Sequence, residues 1–154
     1  MGRWSGLVAA MVVLLAGCDS KQEEKKGAKH EHKAPHGGAL VEFGEEFAHL
    51  EVVVDSGSGQ LTGYVLDGEA EKPVRIEQRE VVIDVRKPTA LKVTLKAVAS
   101  SLTGEKVGDT SQFEGQADGL KGLKDFDATV LKITVKGKEF SSVEFNFPKG
   151  NEVK

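Results

Sequence analysis

The chain has a single cysteine, Cys18, so no intramolecular disulfide is available to it. Its two methionines, Met1 and Met11, and its only tryptophan, Trp4, all lie before that cysteine. The remainder therefore has neither thiol nor thioether if Cys18 is modified, and its fold must rest on an apolar core and hydrogen bonds. Long hydrophobic runs are lacking too. The charge-free apolar stretch Leu7 to Ala16 has ten residues, about half of what a membrane-spanning helix needs. Enzyme signatures are absent: there is no G-x-S-x-G elbow, no P-loop and no G-x-G-x-x-G after a strand. The carboxylates are plentiful but unmarked, and the chain is read as a non-enzyme.

What is present begins with the first eighteen residues. One positive charge, Arg3, precedes the apolar run, and the run ends Leu15-Ala16-Gly17-Cys18. A basic start followed by a short apolar segment and small residues is the layout of an export signal. With cysteine directly after the small residues, the segment resembles the lipobox of bacterial lipoproteins. That resemblance implies cleavage before Cys18 and lipid on its thiol and new amine. Two or more acyl chains anchor stably where one does not. It also implies a periplasmic, membrane-tethered location in the cell envelope. The sorting rule of enteric-type lipoproteins reads Asp19 as retention at the inner membrane.

Removing residues 1–17 leaves 137 residues, with 20 basic and 24 acidic side chains. That suits one domain plus a tether, and a net charge of −4 gives no footprint for nucleic acid. Residues 18–34 comprise the lipidated cysteine and a polar stretch (DSKQEEKKGAKHEHKA) with charges of both signs. Such a composition cannot offset the entropy of ordering, and it reads as a spacer that reaches at most ~55 Å when extended.

From Pro35 the pattern turns to alternation. Leu91, Val93, Leu95 and Ala97 alternate with Lys92, Thr94 and Lys96. Leu131, Ile133 and Val135 alternate with Lys132, Thr134 and Lys136. Val143, Phe145 and Phe147 follow after a short turn at Gly137-Lys138, which predicts a hairpin. Ala48, Leu50, Val52 and Val54 form another strand, and Leu61 to Leu66 return from it. Val81, Ile83 and Val85 add one more. The expectation is an all-β domain over residues 35–149, with seven or eight strands between Ala39 and Phe147. It takes the form of a small Ig-like β-sandwich or a partly open barrel. Ser100 to Lys124 reads as a long loop with one short strand at Phe113 and a helical turn near Leu120 and Leu123. Residues 150–154 read as a C-terminal tail.

The four histidines, His30, His32, His36 and His49, fall within twenty residues. His30 and His32 share a side of an extended chain, about 7 Å apart. His36 stands before Gly37-Gly38. His49 alternates out of phase with Ala48, Leu50 and Val52, and so shares a strand face with Glu51. Imidazole and carboxylate without thiolate suit Zn(II), Cu(II) or Ni(II) rather than Cu(I). His36 and His49 are the leading candidate ligands, with His30 and His32 as mobile capture ligands and Glu51 as a weaker candidate. The same histidines equally fit polar spacer and turn positions, because H-x-H in a polar tract is a compositional cue. Imidazole also serves as a pH switch.

The stretch from Pro35 to about Ile76, with its H-G-G start, its later histidine, its Y-V-L-D strand and its K-P-V turn, is similar to small exported β-domains of the envelope. Some of these accompany the adaptor proteins of heavy-metal efflux systems. The resemblance implies a role near metals, an envelope transport or efflux partner, and functional histidines at His36 and His49. The competing expectation is a metal-free lipoprotein whose sheet binds another envelope protein by strand addition.

Overall fold

The computed structural model describes Met1, Gly2 and residues 32–152. The signal segment, Cys18, the spacer up to Glu31 and His30 lie outside the described residues. Eight strands follow in chain order: β1 (Ala39–Phe43), β2 (Ala48–Asp55), β3 (Gln60–Leu66), β4 (Glu80–Lys87), β5 (Leu91–Ala97), β6 (Gln112–Gln116), β7 (Phe126–Val135) and β8 (Lys138–Phe147). A single 3-10 turn, Asp118–Leu120, precedes β7. No helix among the described residues is long and apolar enough to cross a membrane.

All pairings are antiparallel and belong to one sheet in the order β1-β2-β3-β6-β5-β4-β7-β8. The sheet curls into a nearly closed barrel, so of the two expected architectures the barrel is the one adopted. Alternation explains the curl. Val41, Phe43, Leu50, Val52, Leu61, Val65, Ile83, Leu95, Phe113 and Val130 all turn to one side and form a single fully or almost fully buried core. Burying that face removes it from water on every strand at once.

Two local readings differ from the sequence expectation. The hairpin turn between β7 and β8 is Lys136-Gly137, not Gly137-Lys138, since Val135 pairs with Lys138. Both turn residues have positive φ, 49° and 77°, as a two-residue type I′ turn requires. Along β7, Val130 rather than Leu131 takes the core position next to Ile133 and Val135. The side-chain phase shifts by one residue there, and Ser142 on the partner strand has a positive φ of 54°.

The ends of the sheet, β1 and β8, share no hydrogen-bonded register. Their seam is filled in two ways. Phe140 of β8 lies with its ring centroid 5.4 Å from that of Phe43 and 5.7 Å from that of Phe47. After β8, the chain turns through Pro148-Lys149-Gly150 and runs along the edge of β1. Asn151 there does the work of a strand. Its backbone N–H donates to the Leu40 carbonyl (3.2 Å), its side-chain oxygen accepts from the Glu42 N–H (2.7 Å), and its side-chain amide donates to the Glu42 carbonyl (3.2 Å). Covering an edge in this way blocks pairing with other chains. Only glycine fits at 150. Its φ is +78°, and a Cβ there would lie 2.1 Å from the Leu40 oxygen.

Candidate metal centre

The centre lies on the outer face of β1–β3, the face opposite the core. In β2, register places His49 between Glu42 of β1 and Leu66 of β3, and Glu51 between Leu40 and Tyr64. An outer face of a small barrel usually meets water, yet His49 and Glu51 are fully buried. The cause is a second layer. Leu40, Leu66 and Ala70 form a satellite apolar cluster, with Ala34 and Tyr64 packed on it. Residues 32–38 and 150–152 cross over this face from the two ends of the chain. Ala34 and His32, assigned to the spacer from composition, thus belong to the folded body, and Glu152, assigned to the tail, does as well.

His49 is oriented by its surroundings. Its Nδ1 lies 3.0 Å from the backbone oxygen of Asp67. A carbonyl only accepts, so Nδ1 carries the proton, and in the neutral ring Nε2 holds the lone pair. The carbonyl is itself fixed, because the 67–72 loop is tied down by the Asp67 carboxylate, which accepts from the N–H groups of Glu71 (2.9 Å) and Lys72 (3.1 Å). Burial pushes the Asp67 carboxyl upward. The two N–H groups and the charges of Lys72 and Lys136 outweigh burial and hold it below the usual aspartate value. An imidazole that donates its other nitrogen to a backbone carbonyl is the usual arrangement of a metal-bound histidine.

Two further side chains approach the lone pair of His49. Oε1 of Glu152 lies 3.0 Å from His49 Nε2 and 3.0 Å from His32 Nδ1. The His32 and His49 rings stand edge to face, with centroids 4.8 Å apart. One donor atom from each of His32, His49 and Glu152 fits within 4.8 Å of the others. The two 3.0 Å contacts differ in kind. His32 Nδ1 and Glu152 make an aligned hydrogen bond. His49 Nε2 is close to the carboxylate but has no hydrogen-bond partner in acceptable geometry, although it is buried. Two acceptors that face one inner space without bonding to each other are what a shared cation resolves. Donor atoms on one Zn(II), with bonds of about 2.0–2.1 Å, lie roughly 3.0–3.4 Å apart. The residues fit such an ion: two imidazoles, one carboxylate, and an orphaned buried nitrogen.

His36 and Glu51 form a separate pair. Oε1 of Glu51 accepts the backbone N–H groups of His36 (2.7 Å) and Gly38 (2.9 Å), and Oε2 lies 2.7 Å from His36 Nδ1. The ring of His36 stacks on Tyr64, with centroids 3.8 Å apart and planes at 13°. Burial raises the Tyr64 hydroxyl above its ordinary value, and the charges of Glu114 and Glu51 add to this. Gly38 is needed for close approach, because a Cβ there would lie 2.4 Å from the Val52 oxygen. The H-G-G element therefore docks the N-terminal segment onto a buried carboxylate. Of the sequence candidates, the structure gathers His32 and His49 in one cluster and joins His36 to Glu51 in another. His30 lies outside the described residues. Glu152 escaped the sequence reading because nothing local in the sequence distinguishes it from the other acidic residues.

A groove of about 740 Å³ opens elsewhere, lined among others by Arg75, Arg79, Val82, Leu131 and Lys136, and none of the histidines borders it. Fold and site together define a small antiparallel barrel with a partly buried two-histidine, one-carboxylate cluster on its outer face. In comparison with known proteins, the chain matches no family model, no curated protein and no solved structure.

Proposed function

We propose that this chain is a lipid-anchored module of the bacterial envelope that binds a divalent transition metal, Zn(II), Cu(II) or Ni(II), through His32, His49 and Glu152, and that passes it to a transport partner. One observation carries the reading. His49 is fully buried, its Nδ1 is committed to the Asp67 carbonyl, and its Nε2 lies 3.0 Å from a carboxylate oxygen without bonding to it. A buried nitrogen without a partner costs about 1–3 kcal/mol, and coordination removes that cost. Neutral imidazole with carboxylate is the donor set these ions prefer. The lipobox Leu15-Ala16-Gly17-Cys18 supports the anchor.

The test is calorimetric titration of residues 19–154 with each of the three ions, beside His49→Ala and His36→Ala variants. The expected result is stoichiometric binding that falls more than about 100-fold in His49→Ala, beyond the 10–100-fold lost with an outer partner. His36→Ala should bind nearly as the parent does. Binding unchanged in His49→Ala would mean that the ion sits on the histidines of the spacer. Absence of binding would leave a partner-binding lipoprotein as the working function.

A further inference from the structure

The three donor residues come from three separate parts of the chain. His32 is the first described residue of the segment that leads back to Cys18, His49 sits in the middle of β2, and Glu152 is the last described residue of the C-terminal segment. From this placement, and resting on the metal reading above, we propose that the bound ion is a clasp. It fastens both terminal segments to the outer face of the barrel and so sets how much of the N-terminal segment is held there.

Attachments on either side of the cluster already bring the two segments to it. The N-terminal segment is held to the sheet at Glu51 by the N–H groups of His36 and Gly38. The C-terminal segment is held to β1 at Asn151. Beyond those points, each segment carries one ligand, and His32 Nδ1 lies 3.0 Å from Glu152 Oε1. Coordination would join residues 120 positions apart. An ion that binds the folded chain and not the open one adds its binding energy to the stability of that arrangement. The seam between β1 and β8 has no hydrogen-bonded register, and the C-terminal segment lies along it. The clasp therefore also secures the barrel's weakest closure. With the ion bound, residues 32–35 are held on the barrel. Without it, the hold on this segment retreats to the Glu51 brace that begins at His36. Those four residues add at most roughly 14 Å of reach, so metal occupancy adjusts the distance between the barrel and its anchor.

The experiment is amide hydrogen exchange on the full mature lipoprotein in detergent micelles, with and without saturating Zn(II), with calorimetry on the same sample. The clasp predicts that exchange at residues 33–38 and 149–152 slows at least tenfold with Zn(II), while the amides of β4 and β7 are unchanged. In Glu152→Gln, the slowing at 149–152 should be lost. Stoichiometric Zn(II) binding with no change at the termini overturns the clasp but leaves the metal reading standing. Uniform slowing over all strands, or slowing at 149–152 that persists in Glu152→Gln, also overturns the clasp. Failure to bind Zn(II) overturns both.

Discussion

At the residue scale, Glu51 shows how a buried carboxyl group is tolerated when both of its oxygens are hydrogen-bonded. Its side chain has no exposure, and three donors converge on its two oxygens. Two of these are backbone N–H groups that no strand serves. Removing the acceptor leaves those donors unsatisfied, at about 1–3 kcal/mol each. Glu51→Ala should therefore lower unfolding free energy by roughly 2–4 kcal/mol in urea titration. Glu51→Gln should cost much less, because the amide oxygen still accepts both N–H groups and the His36 ring can exchange tautomers to accept from the amide. Equal losses in the two variants would show that negative charge rather than hydrogen-bond acceptance holds the segment. The contrast with His49 is instructive. Both residues occupy the outer face of β2, two positions apart, and both are fully buried. Glu51 is satisfied by the chain itself, whereas His49 is satisfied at one nitrogen only.

At the scale of the element, the stretch between β5 and β6 is held by a carboxylate in place of a sheet. Two short bridges, Ser100–Glu105 and Lys106–Asp109, shape it. Glu105 then accepts from the backbone N–H (2.8 Å) and hydroxyl (2.6 Å) of Ser111 and from the hydroxyl of Thr103 (2.6 Å), with Arg75 nearby. Burial raises the Glu105 carboxyl, but these hydrogen bonds and the Arg75 charge outweigh it and leave the value below the ordinary one. A carboxyl lowered on folding contributes stability that is complete above its unfolded value, near about 4.3 for glutamate. That stability is lost as pH falls through the lower folded value. Glu105→Gln should thus cost about 1–2 kcal/mol at neutral pH, in line with charge-assisted hydrogen bonds. The difference from the parent should shrink below pH ~4, as measured by urea midpoints across pH. A constant difference over the whole range would assign the effect to shape. Sequence alone marked this region as a loop with one strand at Phe113 and a turn near Leu120, and β6 and the Asp118–Leu120 turn are there. Alternation made β5 plain as well. The phase shift in β7 was hidden because Val130 and Leu131 are both apolar, so either satisfies a period of two. The partnership of His49 with Glu152 was hidden for another reason. It depends on the C-terminal segment docking beside β1, which is a matter of long-range register and has no local pattern.

At the scale of the whole molecule, little apolar surface is exposed among the described residues. Among the described residues no helix can cross a bilayer, and the few exposed large apolar residues beyond Met1, Leu102 and Val107, lie together in one loop. The chain beyond residue 17 carries 20 basic against 24 acidic side chains, so anionic headgroups do not attract it. The proposed attachment is the lipid on Cys18. Buried acyl chains contribute about 0.8 kcal/mol per methylene, far more than two loop side chains supply. Cys18→Ala should accordingly move the protein from the membrane fraction into the carbonate-soluble fraction, with its all-β circular dichroism unchanged. Membrane association that withstands carbonate in that variant would refute the lipid anchor, since the ten-residue apolar run that precedes Cys18 is too short to span. Release with retained metal binding would separate the two halves of the molecule's design, an anchor that sets where the barrel works and a cluster on its outer face that sets what it holds.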